Sequence, residues 1–114
     1  MTATEAPQVS EEAVAAYRRD GAVFLQGHFT EWLDVLTRGV ARNMADPSPI
    51  ATEHQLGDGK GRFFEDYCSW QRIPEYRDFV LNSSAASIAA RFMGAKSVRI
   101  FHEHVLVKEA GTTK

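Results

Sequence analysis

The residues best suited to chemistry lie near the end of the sequence, in the stretch VRIFHEHVLVKE that begins at Val98. Two histidines, His102 and His104, alternate with other residues, and Lys108 and Glu109 follow them. Transition metals accept imidazole and carboxylate groups as ligands, and an ammonium group can bind a carboxylate. The stretch therefore supports three interpretations: a metal site, part of a substrate site, or a strand without chemistry.

Residue types and alternation predict that this stretch is a strand over 98–108. Successive side chains of a strand point to opposite faces, so His102, His104 and Lys108 share one face and Glu109 lies on the other. Both faces are partly apolar, which indicates that the strand is covered on both sides. Histidines on such strands are most often hydrogen-bonded core residues, and a lysine at a strand end is most often solvated.

A metal site of the cupin type is the rival chemical interpretation of the same stretch. The segment HEHVLVKE is similar to the His-x-His-x4-Glu pattern of cupins, which would make His102, His104 and Glu109 the ligands. Two points count against it. Alternation requires a bulge before Glu109 can join the histidines, and a cupin draws a further histidine from a later strand, whereas none follows His104.

Composition limits what kind of protein these residues serve. The chain has 114 residues, of which 44% are hydrophobic, enough for one small domain. A formal net charge of -2 argues against nucleic acid or a membrane surface as partner. Cys68 is the only cysteine, and we find neither a signal peptide nor an apolar span, so we predict a cytoplasmic protein.

Periodicity and end signals predict the elements that position the strand. The predicted elements are a helix capped by Ser10 and ended by Gly21, a strand over 22–26, a helix from Thr30 to before Pro47, and helices over 75–82 and 85–93. Prolines and glycines are dense between 46 and 62, which predicts a flexible loop that acts as a lid. We also expect a flexible N-terminus over 1–9 in a single domain portion spanning 1–114.

The order of these segments resembles the N-terminal part of the phytanoyl-CoA dioxygenase family. The resemblance is carried by VSEEAVAAYRRDGAVFLQGHF, WQRIPEYRDFVLNSSAASIAARFMG and VRIFHEHVLVKEAGT. It implies an α+β chain that supplies the helical buttress and first strands of a double-stranded β-helix, or jelly roll, with the barrel incomplete. It also implies a dioxygenase that uses iron(II) and 2-oxoglutarate to hydroxylate a small organic substrate.

The resemblance also implies roles for a few residues. Lys108 would lie near the 2-oxoglutarate pocket, His102 and His104 would face the barrel interior, and Trp70 and Arg72 would line the pocket lip. The alternative for Arg72 is a surface ion pair with one of three nearby acids: Glu65, Asp66 or Glu75.

The family's metal ligands cannot be assigned to residues of this chain. In the family, the His-x-Asp pair and the distant histidine come after the strand that ends in lysine. We therefore assign no catalytic or metal residue within the 114 positions, and we expect the chain alone to be inactive and to bind neither cofactor firmly. The expected partners are a small-molecule substrate and the remainder of the oxygenase fold, in the same or another chain. The alternative function is a non-catalytic helical interaction module.

Overall fold

The computed structural model describes residues 9–54 and 61–112, which form an α+β arrangement of helices and one small sheet. Four α-helices, a short 3-10 helix and three strands follow one another along this part of the chain. In chain order they are α1 (Glu11–Asp20), the 3-10 helix (Thr30–Trp32), α2 (Leu33–Ala45), β1 (Thr52–His54), β2 (Phe63–Tyr67), α3 (Pro74–Asn82), α4 (Ala85–Met93) and β3 (His104–Lys108).

Local signals determine where the helices begin and end. The Ser10 hydroxyl accepts a hydrogen bond from the Ala13 amide at 3.1 Å, which satisfies one free donor at the start of α1. Gly21 and Gly94 follow α1 and α4 in the left-handed conformation, with φ of 80° and 64°. The four helices predicted from the sequence are therefore confirmed, with the second beginning as a 3-10 turn at Thr30.

The sheet is antiparallel, with β2 between β1 and β3. On β2, Phe63 pairs with Lys108 and Tyr67 with His104, while Phe64 pairs with Val107. Paired residues point to the same face, so alternation divides the sheet into two faces of different character. The face of Phe64 is buried against helices, and the opposite face, that of Phe63 and Tyr67, is partly exposed.

Helices α2 and α3 form the closest helix pair. A side chain at Gly39 would place its Cβ 2.8 Å from Cε1 of Tyr76, so only glycine allows this approach. On α3, the ring of Phe79 packs edge-on against Trp32 of the 3-10 helix, with centroids 5.5 Å apart. Asn43 on α2 donates a hydrogen bond to the buried Asp66 on β2, which puts this helix pair on the buried side of the sheet.

The structure corrects three sequence predictions about strands. Residues 22–26 do not form a strand: they have no pairing partner in the described residues, and Phe24 is 84% exposed. The final strand covers 104–108 rather than 98–108, because β2 ends at Tyr67 and Cys68 takes a positive φ of 58° that ends regular pairing. Strand β1 lies inside the segment predicted as loop, because its residues pair with β2.

Two predicted flexible segments lie wholly or partly outside the described residues. The first eight residues of the predicted N-terminal segment 1–9 are outside, and so are residues 55–60 of the predicted loop 46–62. Across the residues that the structure does describe, no helix is both long and apolar enough to cross a bilayer.

Candidate functional site

The partly exposed face of the sheet brings together titratable side chains from all three strands. It is the face of β2 that carries Glu65, and all three strands contribute to it. We call it the open sheet face; its residues are His54, Phe63, Glu65, Tyr67, His104, Leu106 and Lys108. Two of the sequence candidates, His104 and Lys108, thus share a face as expected, although that face is exposed and does not line a closed cavity.

Glu65 lies at the centre of this face between two histidines. Its Oε2 is 3.1 Å from Nε2 of His54 on β1, and its Oε1 is 3.9 Å from Nε2 of His104 on β3. The carboxylate can accept a hydrogen bond from His54 and attracts His104 whenever that ring is protonated. One carboxylate therefore links all three strands, which neither the spacing nor the types of these residues indicated.

Aromatic rings complete the open sheet face. Phe63 stacks on the ring of His54, with centroids 4.3 Å apart, and Lys108 Nζ is 5.8 Å from the Phe63 centroid. At the other end, the Tyr67 ring lies edge-on to His104 at 5.5 Å. The face is thus a shallow surface on which a cation, two imidazoles and two aromatic rings are arranged in rows.

The proposed cupin set does not assemble. The Glu109 amide donates to the Arg62 carbonyl at 2.9 Å, which continues the ladder and puts Glu109 on the face opposite His104. His102 precedes β3 and its ring approaches Tyr67 at 6.4 Å. Within residues 9–54 and 61–112, no three histidine, cysteine or acidic side chains group closely enough to hold a metal ion. These residues therefore do not fit an iron site.

Lys108 is the last residue of β3 and is exposed on the open sheet face. Its ammonium lies 5.8 Å from the centroid of the Phe63 ring and can donate a hydrogen bond to a carboxylate. His102 and His104 are also exposed, so the default interpretation of these two as core histidines is wrong.

Trp70 and Arg72 lie in the turn between β2 and α3. The Arg72 guanidinium is 3.8 Å from Asp66, which is one of its three expected ion-pair partners. It is also 3.3 Å from Asp46, which the sequence analysis did not name. Glu75 instead binds Arg42, at 2.8 Å. Arg72 is therefore directed toward the end of α2, on the helix side of the sheet, and is not on the open sheet face.

A buried polar cluster on the helix side was missed by the sequence analysis. Asp66 is completely buried and accepts from the Ser48 amide and the Asn43 side chain, both at 2.8 Å, and from the Ser48 hydroxyl at 2.5 Å. Tyr76 donates to Asn43 Oδ1 at 3.1 Å. The cluster connects β2, α2, α3 and the segment after α2, so its role is structural.

Hydrogen bonding, burial and nearby charges shift the pKa values of Asp66 and Tyr76 in this cluster. Burial alone raises the pKa of Asp66, but the hydrogen bonds from Ser48, Asn43 and the Tyr67 amide outweigh it and hold the pKa below its usual value. Burial raises the pKa of Tyr76 to about 12, with added repulsion from Glu103 and Asp66. Asp66 is therefore charged and Tyr76 neutral near pH 7.

An apolar groove of about 680 Å³ runs between the helices and the residues that lead into β3. Its walls include Leu36, Val40, Phe79, Ala89, Ile100 and Val105. Glu103 also lines it; this carboxylate accepts a hydrogen bond from the Ser69 amide through Oε1. Most of the groove lies on the helix side of the sheet, and His104 of the open sheet face also lines it.

Comparison with known proteins adds no relative to this description. The chain matches no family model, and neither the curated proteins nor the solved structures contain a match.

Proposed function

We propose that this chain is the N-terminal portion of a cytoplasmic iron(II)- and 2-oxoglutarate-dependent dioxygenase that hydroxylates a small organic substrate. One observation carries the proposal: helices cover one face of the sheet, while the other face displays Lys108 among histidines and aromatic rings. A jelly-roll oxygenase needs this arrangement, with a helical buttress outside and the cosubstrate pocket inside.

Lys108 has the central role in this proposal. Its ammonium lies at the end of β3 over Phe63, where it can form a charge-assisted hydrogen bond with a carboxylate of 2-oxoglutarate. Tyr67 lies four residues from Phe63 on β2, and His104 lies four residues from Lys108 on β3. Both form the other end of the same surface. In this proposal these side chains bind and orient the cosubstrate, and the iron ligands belong to residues beyond Lys114.

Exposed apolar side chains support the view that more structure covers this sheet. Phe101 is 93% exposed just before β3, and Leu106 is 56% exposed at the centre of the open sheet face. A completed barrel would bury both.

The first test reads the coding sequence downstream of codon 114. A His-x-Asp motif in frame supports the proposal, and a stop codon directly after Lys114 in the intact transcript contradicts it.

In the longer form, Lys108→Met should weaken 2-oxoglutarate binding and leave metal binding nearly unchanged, because the lost charge faces the cosubstrate. Loss of a charge-assisted hydrogen bond costs about 1.5 to 3 kcal/mol, roughly a tenfold to hundredfold rise in Kd. Calorimetry with an inert metal in place of iron measures it. Lys96→Met, which changes an exposed lysine outside the sheet, is the matched control, and equal affinities for the two variants would return Lys108 to a solvated strand end.

A second candidate function is a non-catalytic interaction module. The observation that favours it is the outer side of β3, where the described residues supply no pairing strand, next to the apolar groove. A module of this kind would bind another polypeptide and would show no 2-oxoglutarate affinity that depends on Lys108.

A further inference from the structure

The outer edge of β3 has backbone groups that point away from the sheet. The Cys68 amide donates to the Glu103 carbonyl at 3.1 Å, and the Glu109 amide donates to Arg62 at 2.9 Å, so odd-numbered residues face β2. In an antiparallel ladder the intervening residues point the other way. The N–H and C=O groups of His104, Leu106 and Lys108 therefore face outward, where no strand among the described residues reaches them.

The surfaces on the two sides of this edge differ in chemistry. On the open sheet face, Leu106 lies between His104 and Lys108, so an apolar centre has cationic or titratable groups at both ends. On the helix side, Val105 lines the apolar groove together with Ile100. A strand added here would meet the Lys108 ammonium and the His104 imidazole on one face, with Glu65 of β2 between them, and apolar surface on the other.

We propose that the outer edge of β3 binds an extended segment of another polypeptide chain, which adds to the sheet as an antiparallel fourth strand. The inference rests on the second candidate function and names its partner's chemistry. The segment carries acidic side chains opposite His104 and Lys108, and apolar side chains that enter the groove beside Val105. Main-chain hydrogen bonds supply affinity in this recognition mode, and alternate side chains supply specificity.

Charge makes a second copy of this chain, paired about Leu106, a poorer occupant. Antiparallel self-pairing centred on Leu106 would put Glu103 opposite the second copy's Glu109. Like charges directly opposite one another on neighbouring strands are destabilising. An extended segment from another protein, with an acidic side chain opposite Lys108, avoids this repulsion.

A labelled peptide tests the proposal on the 114-residue chain. The probe is Ser-Glu-Val-Thr-Val-Glu-Ser, which puts both glutamates on one face and both valines on the other. Fluorescence anisotropy should show saturable binding. Binding should be lost when the threonine and glutamate amides are N-methylated, because these face β3, and kept when the valine amides are methylated. Equal binding of the two methylated peptides, or no binding of the parent peptide, would overturn the proposal.

Substitutions on β3 test whether the peptide binds at the outer edge of this strand. Leu106→Pro removes an outward N–H without touching the ladder to β2, so it should weaken the peptide about tenfold or more. Leu106→Thr keeps that N–H and is the matched control. Lys108→Glu leaves the backbone groups of β3 in place and should weaken peptide binding about threefold to tenfold. It therefore tests the edge even if Leu106→Pro unfolds.

Two further outcomes separate this inference from its rivals. Sedimentation that shows a dimer abolished by Leu106→Pro would assign the edge to a second copy and overturn the proposal. Weakened peptide binding in Leu106→Pro and Lys108→Glu but not in Leu106→Thr, with 2-oxoglutarate binding unaffected by Lys108→Met, would support the interaction module and contradict the oxygenase.

Discussion

Residues on the two faces of the sheet have different roles. On the open sheet face, Glu65 links His54 and His104, and Lys108 offers the free ammonium on which the proposed cosubstrate contact depends. On the buried face, Asp66 and Tyr76 are held by hydrogen bonds from neighbouring elements. Function is therefore proposed for the first set and stability for the second.

Tyr76 provides the prediction at this scale. Its pKa is raised to about 12 from 10.0, so its contribution to stability is fully present below pH 10 and is lost as pH rises toward 12. A shift of this size corresponds to about 3 kcal/mol. Tyr76→Phe should lack that part of the alkaline decline, and at pH 7 should be about 1 kcal/mol less stable through the lost bond to Asn43.

Urea unfolding between pH 7 and 12 measures both effects. Tyr17→Phe, a partly exposed tyrosine on α1, is the control and should follow the parent chain. An alkaline decline in Tyr76→Phe as steep as the parent's would contradict the assignment.

Elements meet through close approaches that their own sequences do not show. The α2–α3 contact depends on Gly39, where a Cβ would lie 2.8 Å from the Tyr76 ring and 2.9 Å from Glu75 Cβ. The sheet depends on β1, whose three residues pair with β2 inside a segment that composition describes as loop. Both features join residues that are distant along the chain.

Gly39→Ala is the prediction for this contact. Alanine favours a helix over glycine by about 0.5 to 1 kcal/mol, but forcing a methyl group into a packed contact costs about 1 to 3 kcal/mol. We expect a net loss of about 1 to 2 kcal/mol in the free energy of unfolding, measured with urea. Arg38→Ala, next to it on an exposed part of α2, should change stability little. A stabilised Gly39→Ala variant would show that the helices separate easily.

The whole molecule should respond to acid through two paired carboxylates. Hydrogen bonds from Arg42 lower the pKa of Glu75, and those from Ser48 and Asn43 lower the pKa of Asp66 despite its burial. Their contribution is present above the ordinary pKa values of 4.5 and 3.8 and is lost as pH falls through the lower values of the folded state. Stability should thus fall below about pH 4.

Asp66→Asn tests the part of this acid response that Asp66 contributes. The variant should flatten the loss of stability at low pH and should be about 1 to 3 kcal/mol less stable at pH 7, because a buried charge-assisted network is broken. Thermal unfolding followed by circular dichroism from pH 3 to 7 measures both. Asp78→Asn, on the exposed side of α3, is the control; an unchanged acid profile in Asp66→Asn would remove Asp66 from this role.

The sequence by itself determined the helices and one feature of the site. Caps and end glycines act within a few residues, so Ser10, Gly21 and Gly94 were sufficient to delimit α1 and to end α4. Alternation, also a local property, was sufficient to put His104 and Lys108 on one face. Local rules give these results because each depends on neighbours in the chain.

Only the tertiary structure decided which segments become strands and which face is buried. An extended segment needs a partner, and the apolar segment 22–26 has none in the described residues, while the polar β1 has one in β2. The alternating pattern over 63–67 permits either face to be buried; helices cover the one with Asp66, which leaves Glu65 between His54 and His104. Pairing and burial join residues distant in sequence, so no local pattern contains them.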